Sequence, residues 1–348
     1  MVRPILATPA RMVEADGSIH FGTYDVPFRD VNILDAPLHA FPTPRFWKNF
    51  RLKEWQHFGL ITPAHYFGAV IFDAKFMGVS FFYVYDRLQN TLFEYAGKCS
   101  SRLVKVAAQV YEGACLFEAR GYRLRFENRL DAGFHRILID VDGDAKRPGI
   151  QGDVVIHEDL RVTQPLVQVS PITRLRPFYT HKAAVPASGA IRVGSQDVRL
   201  DRDASIAVID EQKTYYPYVS FWKWSMGAGY NADKKIVAFN LCQNMIAGDE
   251  DANENCVWVD GKITCLKAAR FEMGDAMNRW KISTTDKSVA LSFLPQGQRV
   301  QKINIAGLIR SDFRQPFGLY NGTFRDDAGM VHAVSNVFGL AEEHVTRY

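Results

Sequence analysis

Residues 122–128 read YRLRFEN, and in this stretch apolar side chains occupy every second position, with arginine or glutamate between them. Successive side chains of a β-strand point to opposite faces, so this period of two predicts a strand that is buried on one face. Residues 135–141, HRILIDV, repeat the pattern and run into Asp142-Gly143-Asp144, a turn signal. The two segments together predict neighbouring strands of an antiparallel sheet.

Strand signals of this kind recur along most of the chain, whereas helix signals are scarce. Residues 44–58 are a candidate for a short helix, and residues 101–112 fit a helix or a strand equally well. Asp260-Gly261 between two apolar runs predicts a hairpin. Many short strands with regularly spaced turns favour barrels or sandwiches. Further strands are predicted at residues 69–76, 79–85, 219–226, 236–245, 257–259, 289–293 and 301–309.

The length of 348 residues is sufficient for two domains of ordinary size. A proline-containing stretch at residues 165–189 is the best candidate for the boundary, since it resembles strands that cross between two barrels. We therefore expect one β domain at residues 1–185 and a second at residues 186–348.

The composition is that of a folded globular protein, with 47% hydrophobic and 23% charged residues. The net charge of +4 is small, and the arginines of residues 120–129 alternate as on a solvated strand face, so we expect no nucleic-acid partner. Five cysteines without CxxC spacing predict reduced thiols and a cytoplasmic location. The amino terminus lacks a signal-peptide core, and no apolar run is long enough for an integral membrane segment.

Several phrases of the sequence, in order, resemble the bacterial family known as domain of unknown function 2804. In the first half these are Phe46-Trp47, Lys53-Glu54-Trp55 and Tyr179-Thr180-His181-Lys182. In the second half they are Tyr215-Tyr216-Pro217, Trp222-Lys223-Trp224, Phe239-Asn240-Leu241, Asn253-Glu254-Asn255, residues 312–318 (DFRQPFG) and residues 339–344 (GLAEEH). The resemblance covers nearly the whole chain.

That family is distantly similar to tandem lipocalin-like proteins, among them carotenoid hydratases, tocopherol cyclases and fungal cyclases. The resemblance implies an all-β fold of two lipocalin-like antiparallel β-barrels in tandem, with little helix and with a pocket for an apolar ligand. It implies no particular reaction, because a shared fold hosts many chemistries.

Motifs for cofactor chemistry are missing from the sequence. There is no glycine-rich phosphate loop, no GxSxG nucleophile elbow and no HExxH zinc helix. The nine histidines are scattered, without an HxH pair. We expect neither a cofactor nor a metal.

Candidate ligand-binding residues lie in the second half of the chain. Asn240 and Asn244 share one face of a predicted strand, and amides there either orient a ligand or belong to a solvated face or a structural hydrogen-bond network. Trp222 and Trp224 form either an aromatic wall for an apolar ligand or ordinary core packing. Trp258 belongs to the same candidate set.

Candidate catalytic residues are carboxylates and one histidine. Glu254 shares a predicted face with Trp258, where apolar surroundings would raise its pKa and make it a general acid; the alternative is a loop capped by asparagines. Glu343 and His344 form either an oriented base or a solvated tail. The remaining catalytic candidate is Asp312, which lies with the ligand-binding candidate Gln315 on a predicted lid or mouth loop, although Asp312 and Arg314 equally suit an ion pair that stabilises a turn.

These features together predict a chamber that binds an apolar, lipid-like or isoprenoid-like small molecule. The alternative is a cofactor-independent isomerase, hydratase or cyclase that uses acid–base residues on such a substrate. The two functions differ in whether a carboxylate or a histidine faces the apolar chamber.

Overall fold

The structure is a computed structural model that describes residues 3–246, 248–274 and 279–347. Strand accounts for 61% of the chain and helix for 6%. The strands form two barrel-like sheets, one nearly closed and one a half-barrel. The prediction of an all-β fold with two antiparallel barrel-like sheets and little helix is therefore confirmed.

Fifteen of the described strands form the first sheet, and nine form the second. Those of the first sheet are β1 Ile5–Leu6, β2 Gly22–Tyr24, β3 Lys53–Ile61, β4 His65–Asp73, β5 Gly78–Asp86, β6 Thr91–Cys99, β7 Val104–Lys105, β8 Gly113–Ala119, β9 Tyr122–Arg129, β10 Phe134–Val141, β11 Ile150–Ile156, β12 Leu166–Thr173, β13 Arg176–Val193, β14 Gln196–Leu200 and β15 Ile206–Thr214. Those of the second are β16 Val219–Tyr230, β17 Ile236–Asn244, β18 Cys256–Val259, β19 Lys262–Cys265, β20 Ala269–Met273, β21 Trp280–Thr284, β22 Val289–Ile305, β23 Ile309–Arg325 and β24 Val331–Arg347. The α-helices are α1 Arg45–Arg51 and α2 Asp249–Ala252, and single 3-10 turns span Ile33–Asp35, Ser101–Leu103 and Leu130–Ala132.

The main path of the first sheet runs β6-β5-β4-β3-β15-β13-β11-β10-β9-β8-β7, with antiparallel neighbours throughout. Alternate residues of these strands point inward and build one apolar core. Phe58, Phe67, Phe82 and Phe126 belong to this core and are fully buried. The inside of the first barrel is therefore packed with side chains.

The second sheet has the order β19-β18-β17-β16-β24-β23-β22-β21-β20. Its strands are also paired antiparallel, and the aromatic residues Trp280, Phe293 and Tyr320 fill its concave side. Strands β16 and β24 occupy the middle of this sheet, and side chains on their other face, such as Met226 and Leu340, are buried against residues of the first sheet.

A third core lies between the two sheets, and we call it the interface layer. It contains Tyr66 and Tyr83 from the first sheet and Trp224, Met226 and Leu340 from the second. Glycine makes room for these rings: a Cβ at Gly68 would lie 2.2 Å from the ring of Tyr83, which rests on the sheet there. The two sheets thus enclose a dry, aromatic-rich layer.

The sequence placed some element boundaries differently. The expected division between residues 185 and 186 falls inside β13, and the chain passes from the first sheet to the second between Thr214 and Val219. We propose that the structural division lies there. The candidate helix at residues 44–58 ends at Arg51, because the pattern from Lys53 onward has the period of a strand.

Candidate functional site

Two tryptophans of β16 point into the interface layer. Trp224 is buried, with its ring centroid 6.0 Å from that of His57 and 5.3 Å from the Lys182 ammonium. Trp222, two residues earlier on the same face, is half-buried and stacks on Tyr216 with centroids 5.8 Å apart. The aromatic wall expected from the sequence therefore lies between the sheets and continues from the interior to a partly open edge.

Glu342 on β24 is a buried carboxyl group that contacts Trp222 at this edge. Its Oε1 accepts a hydrogen bond from the Trp222 indole N–H at 2.6 Å, and its Oε2 accepts one from the Gln315 amide at 2.9 Å. Burial raises the pKa of Glu342 to about 7, although both hydrogen bonds act to lower it. The group therefore exchanges its proton near neutral pH, as a general acid must.

Gln315 links Glu342 to the first sheet. Its Oε1 accepts hydrogen bonds from the Tyr83 hydroxyl at 2.9 Å and from Arg299 Nη1 at 3.0 Å. These donors fix the orientation of the amide, so its N–H group points at Glu342. Gln315 was a predicted site residue, and the structure places it at the centre of this cluster.

Arg299 is held on several sides. Its Nε donates to Glu94 at 2.8 Å, and its guanidinium lies 4.1 Å from the Tyr83 ring centroid and 4.4 Å from that of Phe81. Within the described residues its Nη2 makes no hydrogen bond. A fixed guanidinium with an available N–H is suited to bind an oxygen of a ligand. We call Trp222, Arg299, Gln315, Glu342 and His344 the acid cluster.

Glu254 belongs to a second group, the lysine cluster, which consists of Lys182, Asp210, Asn240, Asn244 and Glu254. Lys182 Nζ lies 2.9 Å from Glu254 and 3.1 Å from Asp210. Burial lowers the pKa of Lys182, but Asp210 and Glu254 outweigh this effect and raise it above the ordinary value. The ammonium is thereby fixed over the ring of Trp224.

The two predicted amides also belong to the lysine cluster. Asn240 accepts the indole N–H of Trp224 at 2.7 Å and donates to the Glu254 carbonyl at 2.7 Å, while Asn244 donates to Glu254 Oε1 at 3.1 Å. The apolar residues of β17, such as Phe239, fill the second barrel instead. The amide-bearing face therefore lies outside the second barrel, against the first sheet.

His57 lies between the two clusters. It is buried, and burial lowers its pKa to about 4, with Asp210 acting against this shift and Lys182 and Arg299 adding to it. A neutral imidazole at physiological pH accepts a proton at one nitrogen and donates one at the other. His57 is therefore a candidate to assist proton movement near Trp224.

His344 has different surroundings from those expected. It lies within β24 and not in a solvated tail; its Nε2 is 2.8 Å from Ser311 Oγ, and its ring centroid is 4.4 Å from that of Trp222. Burial lowers its pKa to about 3, so the ring is neutral. Glu343 cannot pair with it, because adjacent strand residues face opposite sides; Glu343 is opposite Lys223 and Arg314 in the sheet. The carboxylate on the face of His344 is Glu342.

Two other predicted residues belong to neither cluster, although the charge of Asp312 acts to raise the pKa of His344. Asp312 lies on the other face of β23 from Phe313, partly exposed, with Lys302 Nζ at 3.9 Å and Arg310 Nη2 at 4.0 Å. Trp258 is buried in the interface layer and donates its indole N–H to the Gln164 carbonyl at 2.9 Å. The contacts of Asp312 are those of a surface ion pair, and those of Trp258 are packing contacts.

A separate buried polar group lies inside the first barrel. Glu158 accepts from His135 and His181, both at 2.8 Å, and all three side chains are fully buried. Although burial raises the pKa of Glu158, the two histidines lower it to about 2, and Glu158 raises that of His181 to about 10. Because none of the three side chains is exposed at all, we assign the group a structural role.

Trp222, Trp224, Asn240, Asn244, Glu254, Gln315 and His344 were candidates from the sequence, whereas Arg299 and Glu342 of the second sheet and three residues of the first sheet were not. His57, Lys182 and Asp210 are polar residues within strands whose other residues are mostly apolar, and this contrast was the available signal. Among the described residues, no group of three His, Cys, Asp or Glu side chains is arranged to hold a metal ion. Within the same residues, no helix has the length and apolar character needed to span a membrane.

Two barrel-like sheets with buried polar clusters between them define a class of tandem β-barrel proteins. Within this class, the chain belongs to the family described as domain of unknown function, DUF2804, whose model matches residues 4–348. No curated protein matches the chain in sequence.

Among solved structures, CghA is similar with a TM-score of 0.55 at 12% identity, over 99% of this chain and 97% of that one. CghA with Sch210972 has a TM-score of 0.51 at 10% identity, over 85% and 88% of the two chains. Kievitone hydratase from Nectria haematococca gives 0.45 at 9% identity, also over 85% and 88%. The CghA comparisons show a shared fold.

Proposed function

We propose that this protein binds a mainly apolar small molecule at the edge of the interface layer and transforms it by proton transfer. The reaction class is isomerisation, hydration or cyclisation. The observation that carries the proposal is Glu342, a carboxyl group whose burial raises its pKa to about 7, placed among aromatic rings beside a partly open edge. A protein that only binds and carries a ligand has no need for a carboxyl group that titrates near neutral pH.

The first chemical step is donation of the Glu342 proton to a double bond or an oxygen of the substrate. Both carboxyl oxygens already accept a hydrogen bond, from Trp222 and Gln315, and these bonds stabilise the carboxylate that is left behind. The positive charge that develops on the substrate is attracted to the π-faces of Trp222 and Trp224. Return of a proton to Glu342, from the substrate or from an added water, completes the cycle.

The polar end of the substrate is held by the remaining groups of the acid cluster. Arg299 offers Nη2, and its other nitrogens are fixed by Glu94 and Gln315. The half-buried rings of Trp222 and Phe313 supply apolar contact at the edge. The lipid-like or isoprenoid-like character expected from the sequence suits such walls. The presence of Sch210972 with CghA supports ligand binding by this fold.

The second candidate function is binding without chemistry, and the same contacts would serve it. Native mass spectrometry of the purified protein, followed by identification of the extracted compound, supplies the ligand for a test. Wild type should convert the compound or a close analogue. Glu342→Gln should bind the compound with turnover reduced by about 10² to 10⁴. Glu343→Gln, on the opposite face of β24 from Glu342, should behave as wild type. Binding without turnover in all three proteins would establish the carrier instead.

A further inference from the structure

Helix α1 exposes aromatic side chains and buries none of its residues. Phe46 is 76% exposed, and Trp47 and Phe50 are also exposed and stack on each other with centroids 5.4 Å apart. Phe41, just before the helix, is 66% exposed. Large rings in water are unfavourable, so a contiguous group of them marks a surface that is covered by a partner.

A second exposed apolar group lies at the hairpin between β22 and β23. Leu308 at its tip is 68% exposed, and Val300, Phe221 and Val345 on the neighbouring strands are exposed as well. Phe221 and Val345 are directly opposite each other in the sheet. The strands around this hairpin therefore carry exposed apolar side chains on the end that extends beyond the first barrel.

Both exposed groups adjoin the edge of the proposed site. Arg51 at the end of α1 donates to the Tyr216 carbonyl at 2.9 Å, and the Tyr218 hydroxyl donates to the Leu308 carbonyl at 2.8 Å. Tyr216 itself stacks between Trp55 and Trp222, with centroids 6.0 and 5.8 Å away. The helix, the edge of the interface layer and the hairpin tip therefore follow one another on one side of the molecule.

The charge of these segments has one sign. Residues 36–52 contain Arg45, Lys48 and Arg51 and no acidic residue, and residues 300–311 contain Lys302 and Arg310 and no acidic residue. Asp35 and Asp312 flank the segments. Asp35 pairs with Arg45 at 2.8 Å, and Asp312 lies 3.9 Å from Lys302 and 4.0 Å from Arg310, so the basic residues still outnumber the acidic ones. Aromatic side chains beside an excess of basic ones are the composition of segments that lie on anionic bilayers.

We propose that α1 and the β22–β23 tip dock the protein on the surface of an anionic phospholipid bilayer. The exposed rings enter the headgroup region, and the basic residues contact lipid phosphates. The docking surface is a separate feature from proton transfer by Glu342, although it would bring the edge of the site to the place where apolar molecules are dissolved.

Vesicle flotation tests the proposal directly. Wild type should float with phosphatidylcholine vesicles that contain phosphatidylglycerol, about tenfold more than with phosphatidylcholine alone, and the difference should shrink at high salt. Phe46→Ser combined with Trp47→Ser should lose most of this binding. Leu88→Ser with Met330→Ser removes two exposed apolar side chains at turns away from the surface, β5–β6 and β23–β24, and should bind as wild type.

A second pair of variants tests the charge. Lys302→Glu with Arg310→Glu should abolish the preference for phosphatidylglycerol, whereas Arg120→Glu with Arg202→Glu, at the exposed β8–β9 and β14–β15 turns of the first sheet, should leave it unchanged. Glu342→Gln should float as wild type, which separates this proposal from the proposed function. Three results would overturn the docking proposal. They are absence of flotation, flotation that survives replacement of Phe46 and Trp47, and light scattering that shows dimerisation through these residues.

Discussion

The indole N–H of Trp222 donates to Oε1 of Glu342 at 2.6 Å, although the residue directly opposite Trp222 in the sheet is His344. The bond is diagonal across β16 and β24, and it holds a carboxyl group against an aromatic ring in the interface layer. Burial raises the pKa of Glu342 more than the hydrogen bonds lower it, so this pKa lies at about 7 despite the indole donor. The pair is the basis of the predictions that follow.

Glu342→Gln should change the pH dependence of stability. The folded-state pKa of Glu342 is raised above its ordinary value of 4.5, so its contribution to stability is complete below pH 4.5 and is lost as pH rises through 7. Between pH 5 and pH 8 wild type should lose up to about 3 kcal/mol more than Glu342→Gln. Urea unfolding at the two pH values measures this, and equal losses would show that Glu342 is not buried as described.

Trp222→Phe should raise the pKa of Glu342 further. The variant keeps an aromatic ring but removes the N–H donor that stabilises the carboxylate. Trp224→Phe is the matched control, because the indole of Trp224 donates to Asn240 and not to Glu342. The midpoint of Glu342 titration should move to higher pH in the first variant and remain in place in the second.

Trp224→Ala should weaken binding of an apolar ligand by about 1 to 3 kcal/mol, through loss of a large buried contact. Trp224 is buried and also packs near His57 and Lys182, so the variant is expected to be less stable as well. Calorimetric titration below the unfolding temperature separates the two effects. Trp258→Phe, at a tryptophan whose indole donates to the Gln164 carbonyl and not to a residue of either cluster, should leave affinity near that of wild type.

His344 should make the fold sensitive to acid. Its folded-state pKa of about 3 lies below the ordinary 6.5, so its contribution to stability is present above pH 6.5 and is lost as pH falls toward 3. His344→Gln keeps a neutral polar side chain in reach of Ser311. From pH 7 to pH 5 wild type should lose about 1 to 2 kcal/mol more than this variant, and an equal loss in both would place His344 in solvent.

The alternation of apolar and polar residues predicted the fold class well, because strand period is a local property of the sequence. It also placed Asn240 and Asn244 correctly on one face of a strand. The alternation did not reveal which face of each strand packs against which hydrophobic core, since that depends on how the two sheets pack together. The sequence left open whether the two amides orient a ligand, face solvent or form a hydrogen-bond network, and in the structure they lie between the sheets, bonded to Trp224 and Glu254.

The same limit applies to the candidate acid–base residues. Glu343 was chosen beside His344 because the two are adjacent, yet adjacent residues of a strand face opposite sides, and Glu342 is the residue that shares the face of His344. Glu254 was chosen for an apolar setting, and Lys182, 72 positions earlier in the sequence, is its partner. Contacts between segments so far apart depend on tertiary structure, which patterns within a strand do not encode.

The central claim is that Glu342 is a neutral acid in the folded protein below pH 7. Infrared difference spectroscopy during a pH titration detects the C=O stretch of a protonated carboxyl group, and subtraction of the Glu342→Gln spectra assigns the signal. The account predicts a band that disappears with a midpoint at about 7. A midpoint at the ordinary value of 4.5 would contradict it.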